Sequence, residues 1–295
     1  MVRRTRLASA GELPYIAAMQ EMKRFFRRFR REIYWRVPAE PVRWRHPQAY
    51  RFFAELMARG YHPEGHIDVV PKFRLIYIAN PKAASSTIKK SLVALLDRNL
   101  ASPSQVHRRE QSGLLSPSAV GVETFYRLAT APDTLRFSFV RNPFERLVSC
   151  WEDKYRGRPL VRGDPFVNVY LDFRKQADLR LPHGPDAELP FAVFVEMAAA
   201  TCRMRIDPHW NLQDDILGMP GIALDMIGQM EHFDRDFARV IAHVGMPGAL
   251  RDTQAINASS RSRCRDYYDD ALADRIRRAY EQDFDRFGYS SVLPD

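Results

Sequence analysis

A short apolar segment, a turn of small polar residues and a helix follow one another at residues 74–100, and this succession restricts the fold most. Residues 74–79 (RLIYIA) predict a buried strand, and residues 86–100 predict a helix with its apolar side chains on one face. Between them, residues 80–87 (NPKAASST) can direct several backbone N–H groups at one anion, and the helix N-terminus adds positive potential. The pattern predicts a phosphate-binding loop.

A second unit of the same kind follows later in the chain. Residues 135–140 (LRFSFV) predict another strand, Arg141 stands at its carboxyl end, and residues 142–145 (NPFE) carry the signals of a helix start. Ser149 comes about two helical turns after Arg141, so both side chains could reach one ligand phosphate. Two such units predict an α/β fold with a central parallel sheet, flanking helices and ligand-binding loops at the carboxyl ends of the strands.

The N-terminal part of the chain differs from the rest in charge. Residues 1–50 contain 12 Lys or Arg against 4 Asp or Glu, and the whole chain has a net charge of +9. Apolar residues recur at helical spacing through residues 13–35 with arginines on the other side. We predict a basic helical extension over residues 1–66 and a catalytic domain over residues 67–295. The amphipathic helix could lie on an anionic membrane or an acidic glycan, or dock on the domain.

Cysteine spacing, hydropathy and the position of Lys82 argue against several classes of protein. The cysteines Cys150, Cys202 and Cys264 are isolated and odd in number, which supports neither a disulfide framework nor a zinc site. The sequence has no signal-peptide core and no apolar run of about 18 residues, so we expect a soluble or peripheral protein. Lys82 precedes the small residues of its loop, whereas the Walker A lysine follows a glycine, and this disfavours an NTPase.

The two motifs together resemble those of the PAPS-dependent carbohydrate sulfotransferases, the group that includes the chondroitin 4-O- and HNK-1 enzymes. PAPS is 3′-phosphoadenosine 5′-phosphosulfate. The lysine loop is similar to that family's 5′-phosphosulfate motif, and FVRNPFERLVS is similar to its 3′-phosphate motif. Further matches follow in order within residues 207–213, 228–237 and 280–289, so the resemblance covers residues 70–291.

The resemblance implies a P-loop-like sulfotransferase fold and a role for each matching residue. The implied donor-binding residues are Pro81, Lys82, Ala83, Ala84, Ser85, Ser86 and Thr87 for the phosphosulfate end, with Arg141 and Ser149 for the 3′-phosphate. Lys82 is also predicted to be catalytic, because it can neutralise charge on the leaving phosphate. Ala84 stands where many family members have glycine, so the loop is expected to work without a residue that freely adopts positive φ.

The acceptor alcohol needs a general base, because a sugar hydroxyl is a poor nucleophile at neutral pH. His107 is the first candidate, since the resembling enzymes also have a histidine beyond the lysine loop. His209 is the second candidate and Glu123 the third. Each histidine could instead be a structural or solvent-exposed residue without a role in catalysis.

The resemblance further implies a hydroxyl acceptor on a carbohydrate or glycolipid. Candidate acceptor-binding residues are Arg108, Arg109, His209 and Trp210. Arg261, Arg263 and Arg265 could close over the 3′-phosphate or an acidic acceptor, or belong to a solvated loop. PAPS is expected as co-substrate without a metal, because no carboxylate cluster for Mg²⁺ is evident. An anionic membrane surface is a second candidate partner, and nucleic acid is not expected.

Two other functions stay open at this stage. A kinase-like or NTPase-like enzyme on a similar fold would bind nucleoside triphosphate with Mg²⁺, but the chain has no Walker A lysine. A non-catalytic polyanion-binding protein could keep the same fold without turnover. For the sulfotransferase we expect a cytoplasmic location, with the N-terminal helix able to bring the chain to the inner membrane.

Overall fold

One four-stranded sheet forms the centre of the protein. The computed structural model describes residues 43–98, 100, 102–159, 167–168, 170–171, 188–246 and 264–294. The strands are β1 (Ile67–Val70), β2 (Leu75–Ile78), β3 (Leu135–Val140) and β4 (Met226–Gln229), in the order β1-β2-β3-β4. Strands β2, β3 and β4 run parallel, which confirms the predicted α/β fold with a parallel sheet. Strand β1 pairs antiparallel with β2 and was not predicted.

The helices precede and follow these strands as the two-unit pattern requires. In the described part of the chain they are α1 (Pro47–Arg59), α2 (Pro63–His66), α3 (Ser85–Leu95), α4 (Arg109–Ser112), α5 (Pro117–Val120), α6 (Val122–Thr130), α7 (Pro143–Lys154), α8 (Phe191–Thr201), α9 (Gln213–Leu217), α10 (Phe233–Val244), α11 (Asp270–Ala279) and α12 (Glu281–Phe287). Short 3₁₀ turns cover Pro71–Phe73, Pro103–His107, Met230–His232 and Cys264–Asp266. Helices α11 and α12 are separated by the single residue Tyr280.

Helices cover both faces of the sheet because its strands are apolar on both faces. Leu75 and Tyr77 of β2 belong to a buried cluster that includes side chains of α3 and α10. The alternate residues Ile76 and Ile78 belong to another cluster, with side chains of α1 and α6. A further apolar core lies among α7, α8 and α11. The sheet is therefore a rigid middle layer, and its loops are held by packing on each side.

The described end of the predicted N-terminal extension packs on this core. Ala49, Phe53 and Leu56 of α1 are buried, and Phe53 contacts Phe125 of α6 edge to face. The boundary at residue 66 stays a prediction, and the predicted amphipathic helix lies outside the described residues. Within the described part of the chain, no helix is long and apolar enough to cross a bilayer.

The three cysteines belong to the interior of the protein. Cys150, Cys202 and Cys264 are buried free thiols in the same apolar core. Burial raises the pKa of the Cys150 thiol to about 12, so this thiol stays protonated at neutral pH. They are packing residues in this fold.

Candidate active site

Two segments at the carboxyl ends of neighbouring parallel strands lie side by side. We call residues 80–87, after β2, the lysine loop, and residues 141–142, after β3, the arginine turn. Gln213 of α9 connects them, because its Oε1 atom accepts from Asn80 Nδ2 at 2.8 Å and from the backbone N–H of Arg141 at 3.0 Å. The Gln213 amide nitrogen donates in turn to the Arg141 carbonyl at 2.9 Å. A buried side chain thus fixes the spacing of the two predicted phosphate-binding segments.

The lysine loop contains two residues in the left-handed backbone region. Lys82 has φ of +67° and Ala84 has φ of +58°, although neither is a glycine. This corrects the expectation drawn from Ala84: the loop does adopt positive φ there, at an energetic cost that glycine would not bear. Helix α3 then begins at Ser85, so the hydroxyls of Ser85, Ser86 and Thr87 lie in the first helical turn, where backbone N–H groups are open to an anion.

Lys82 is held by a carboxylate of α7. Its Nζ atom lies 2.5 Å from Asp153 Oδ2, with the lysine side chain 12% exposed and the aspartate side chain 47% exposed. Lys154 Nζ lies 3.0 Å from the same Asp153 oxygen. Burial raises the pKa of Asp153, but the hydrogen bonds and positive charges of Lys82 and Lys154 together outweigh it and lower this pKa to about 2. Burial also lowers the pKa of Lys82. Asp153 is therefore ionised at neutral pH, and sequence analysis missed it.

The arginine turn is a regular helix start. Asn142 Oδ1 accepts from the Phe144 N–H at 3.0 Å, which confirms the predicted N-cap of α7. Glu145 does not close a capping box, because its carboxylate pairs with Arg141 Nε at 3.2 Å. Ser149 lies two turns along the same helix and is half-buried. Arg141 and Ser149 as ligands of a 3′-phosphate stay predictions.

Arg146 is a structural centre of the site that the sequence analysis did not identify. Its side chain is 1% exposed and donates to the carbonyls of Pro81 at 3.1 Å, Asn211 at 2.7 Å and Pro208 at 2.6 Å. It therefore joins the lysine loop to α7 and to the segment before α9. The detectable signal was a charge on the apolar face of α7, since a buried cation requires partners.

His107 lies against the first turn of α3. Its Nε2 atom and Ser86 Oγ are 3.0 Å apart, and the hydroxyl donates when the neutral ring carries its proton on Nδ1. Burial and the nearby charge of Lys89 lower the pKa of His107, so the imidazole is neutral at neutral pH. A neutral imidazole beside the predicted phosphosulfate loop has the position and protonation state that a general base needs.

The other candidate bases have different surroundings. His209 Nδ1 and Asp207 Oδ1 are 2.7 Å apart, and the same carboxylate oxygen accepts from the His209 backbone N–H at 2.8 Å. Glu123 of α6 pairs with His46 at 3.1 Å on the protein surface. The Asp207 contact orients His209, which keeps it as the second candidate.

Two predicted acceptor contacts have structural positions instead. Trp210 is fully buried, and its indole N–H donates to Thr201 Oγ1 at 2.9 Å, so an acceptor cannot reach it. Arg109 is half-buried and lies 2.9 Å from Asp68. It also donates to the backbone carbonyls of Glu64 in α2 and Ile67 in β1. Arg108 is exposed, and so is Arg265 in the turn Cys264–Asp266, whereas Arg261 and Arg263 lie outside the described residues.

The expectation of a reaction without metal stays a prediction. Among the residues that the structure describes, no group of three or more His, Cys, Asp or Glu side chains is placed to hold a metal ion. The charged groups nearest the lysine loop form pairs with one another, as for Lys82 with Asp153.

Fold and site together define an α/β protein in which two segments that end neighbouring parallel strands lie side by side at the edge where such folds bind ligands. A sequence model of the sulfotransferase family matches residues 65–290. The chain belongs to this family, which confirms the resemblance seen in the motifs.

Named relatives place the chain near the carbohydrate-specific members. Carbohydrate sulfotransferase 10 of Danio rerio is 26% identical over 245 residues, which cover 76% of this chain and 66% of that protein. Carbohydrate sulfotransferase 8 of Mus musculus is 26% identical over 250 residues, or 78% of this chain and 57% of that protein. Carbohydrate sulfotransferase 11 of Danio rerio is 26% identical over 198 residues, or 63% and 54%. The chain thus spans between about half and two thirds of these relatives. No solved structure matches it significantly.

Proposed function

We propose that this protein transfers the sulfuryl group of PAPS to a hydroxyl of a carbohydrate or glycolipid. The observation that carries the proposal is the Gln213 bridge, which sets Lys82 and Arg141 on adjacent segments at one edge of the sheet. A donor with a 5′-phosphosulfate and a 3′-phosphate has two anionic ends, and these segments offer one cation to each. The carbohydrate sulfotransferase relatives support the acceptor class.

The lysine loop suits the phosphosulfate end of the donor. Its backbone N–H groups and the hydroxyls of Ser85, Ser86 and Thr87 can donate to phosphate oxygens, and the N-terminus of α3 adds positive potential. Arg141 and Ser149 suit the 3′-phosphate, because Arg141 ends β3 beside this loop and Ser149 follows two turns along α7. The donor would displace Asp153 and Glu145 from the two cations they hold in the structure.

The reaction follows as one displacement at sulfur. The acceptor oxygen forms a bond to sulfur while the bond between sulfur and the bridging phosphate oxygen breaks, and adenosine 3′,5′-bisphosphate leaves. Lys82 stabilises the negative charge that develops on the leaving phosphate. His107 accepts the proton of the acceptor hydroxyl at Nε2, after Ser86 Oγ has turned from the ring toward the donor.

Calorimetric titration with adenosine 3′,5′-bisphosphate and with ATP tests the donor assignment. Wild type should bind the bisphosphate more tightly than ATP, and Arg141→Ala should weaken that binding by about 10-fold or more, since a charge-assisted contact contributes about 1.5–3 kcal/mol. Arg74→Ala is the matched control, because Arg74 is an exposed arginine paired with Asp133 near the start of β2. Tighter binding of ATP with Mg²⁺ would favour the kinase-like alternative.

Turnover separates the enzyme from a polyanion-binding protein. With PAPS as donor, wild type should release the bisphosphate only when a carbohydrate acceptor is present, and Lys82→Ala should abolish this release. If Lys82→Ala keeps full affinity for a sulfated polysaccharide and wild type shows no turnover with any acceptor tried, the non-catalytic alternative is the better one. Uronic-acid polysaccharides and neutral glycolipids are suitable first acceptor sets, because they differ in charge.

We further propose a cytoplasmic location with peripheral binding to an anionic membrane. The support is the basic amphipathic pattern of residues 13–35, since such a helix can bury its apolar face at the headgroup boundary. Cosedimentation with vesicles containing anionic lipid should decrease after deletion of residues 1–36. Unchanged cosedimentation of the deletion variant would overturn the membrane role.

A further inference from the structure

Asp68 is a buried carboxylate between two cations. It lies in β1 with its side chain 1% exposed, 2.9 Å from Lys89 Nζ and 2.9 Å from Arg109 Nη1. Lys89 contacts Oδ2 and Arg109 contacts Oδ1 of this carboxylate. Neither contact has the geometry of a hydrogen bond, so the attraction is mainly electrostatic. A buried carboxylate of this kind persists only with such compensation.

The two cations belong to the two segments that meet at the candidate base. Lys89 lies three residues after Ser86 on α3, one helical turn along the same side. Arg109 lies two residues after His107, directly beyond the turn Pro103–His107. Asp68 therefore connects, through one residue on each side, the helix that carries Ser86 and the segment that carries His107.

Backbone bonds make the Arg109 side of this connection stiff. Its Nη2 atom donates to the carbonyl of Glu64 at 2.9 Å and to that of Ile67 at 3.0 Å, while Nη1 faces Asp68. The guanidinium is thus held at three points around the start of β1. The two carbonyls hold Arg109 against the start of β1, and Asp68 adds the contact that joins it to Lys89 of α3. This carboxylate therefore contributes to the position of residues 107–109 relative to α3.

We infer that Asp68 is a positioning residue of the active site, which holds His107 against the first turn of α3 through Lys89 and Arg109. The inference deepens the proposed function, because it rests on His107 as the base. Asp68 itself touches neither donor nor acceptor. Its effect on catalysis comes from the placement of His107 beside the first turn of α3, where His107 Nε2 lies 3.0 Å from Ser86 Oγ in this structure.

The same carboxylate also acts on the charge balance around His107. Burial lowers the pKa of His107, the positive charges of Lys89 and Lys154 and the neighbouring His209 lower it further, and the negative charge of Asp68 raises it. These groups come from α3, from α7, from the segment before α9 and from β1. Removal of the Asp68 charge should therefore move the His107 pKa further down, since Lys89 would act without its counter-charge.

The test is the isosteric variant Asp68→Asn, followed by steady-state kinetics with PAPS across pH. We expect kcat to fall between about 10-fold and 100-fold, because a small displacement of a catalytic group has effects of that size. KM for PAPS should change less than twofold. The acid limb of kcat/KM for the acceptor should move to lower pH, which loss of stability alone would not produce.

Asp225→Asn is the matched control. Asp225 is a carboxylate that pairs with Arg136 at the other end of β3, so its loss should lower stability without a shift of the pH limb. If folded Asp68→Asn keeps the wild-type kcat and pH limb, or if Asp225→Asn reproduces both changes, the positioning role is wrong. Affinity for adenosine 3′,5′-bisphosphate distinguishes the positioning role from the proposed function. Asp68→Asn should bind this nucleotide as tightly as wild type does. Wild type that does not bind it would contradict the proposed function itself.

Discussion

The lysine loop and the arginine turn both end a parallel strand and both hold a cation against a carboxylate of α7, yet they are built differently. The lysine loop places Lys82 and Ala84 in the left-handed region without a glycine. The arginine turn is an N-capped helix start with proline at the first helical position. One segment is held in a costly conformation by its surroundings, and the other adopts the conformation that its own sequence favours.

Contacts from distant parts of the chain stabilise the costly conformation. Arg146 donates to the Pro81 carbonyl, and Asn80 Nδ2 donates both to Gln213 and to the Phe139 carbonyl. The arginine turn also receives Gln213, but its helix start would form from local signals alone. The difference predicts that changes in tertiary contacts affect the lysine loop more than the arginine turn.

The largest expected effect separates the two segments by their role in the reaction. Lys82→Ala should lower kcat by about 10³-fold, the size seen when a group that stabilises transition-state charge is removed. Arg141→Ala should mainly raise KM for PAPS, because a 3′-phosphate is far from the reacting sulfur. Initial rates over a range of PAPS concentrations give both constants. Equal losses of kcat in the two variants would contradict this division. Lys72→Ala is the control for loss of a positive charge, because Lys72 is an exposed lysine near Phe73.

A second prediction concerns the stability of the lysine loop. Arg146→Met should lower the free energy of unfolding by about 3 kcal/mol, because three buried carbonyls lose their donor. Urea denaturation measures this loss. Arg156→Met is the control. Arg156 lies just after α7 with its side chain 54% exposed, so this change should alter the free energy of unfolding by about 0.5 kcal/mol or less. A loss of similar size in both variants would mean that the arginine contacts to the loop contribute little.

The same difference decides what could be predicted from the sequence. Strand β3 and the start of α7 agree with prediction because an apolar run, an N-cap and a proline are local signals. Strands β1 and β4 were missed because neither shows an uninterrupted apolar run like that of residues 74–79: β1 contains a buried charge, Asp68, and β4 ends in Gly228 and Gln229. Trp210 was placed at the acceptor surface because it follows His209, but a large aromatic side chain is favoured in the core.

Contacts between side chains that are far apart in the sequence could not be predicted, for a physical reason. Gln213 was noted among the matching residues, but its bond to two loops depends on the placement of α9 after the chain has folded. Asp153 of α7 and Asp68 of β1 pair with cations of other elements, and spacing along the chain carries no information on such pairs. The turn between β2 and α3 could be predicted, whereas the left-handed conformations of Lys82 and Ala84 could not.

A smaller effect should distinguish the carboxylates that hold the two cations. Asp153→Asn removes the group that competes with the donor for Lys82, so affinity for adenosine 3′,5′-bisphosphate should increase by up to about fivefold, the size of a partly exposed ion pair. Glu145→Gln should have a similar effect through Arg141. Because the pKa of Asp153 is about 2, the gain should be the same at pH 6 and pH 8. Weaker binding by Asp153→Asn, measured by calorimetry, would mean that the carboxylate positions the lysine instead.

The smallest effect tests the cost of the lysine loop directly. Ala84→Gly relieves the left-handed strain of about 1–2 kcal/mol but adds freedom to the unfolded chain, so we expect stability to rise by about 0.5 kcal/mol. Ala94→Gly, in the right-handed last turn of α3, is the matched control and should lower stability by about 0.5–1 kcal/mol. Urea denaturation of both variants measures the contrast. If Ala84→Gly destabilises the protein as much as Ala94→Gly does, residue 84 is unstrained, and the lysine loop is as locally favoured as the arginine turn.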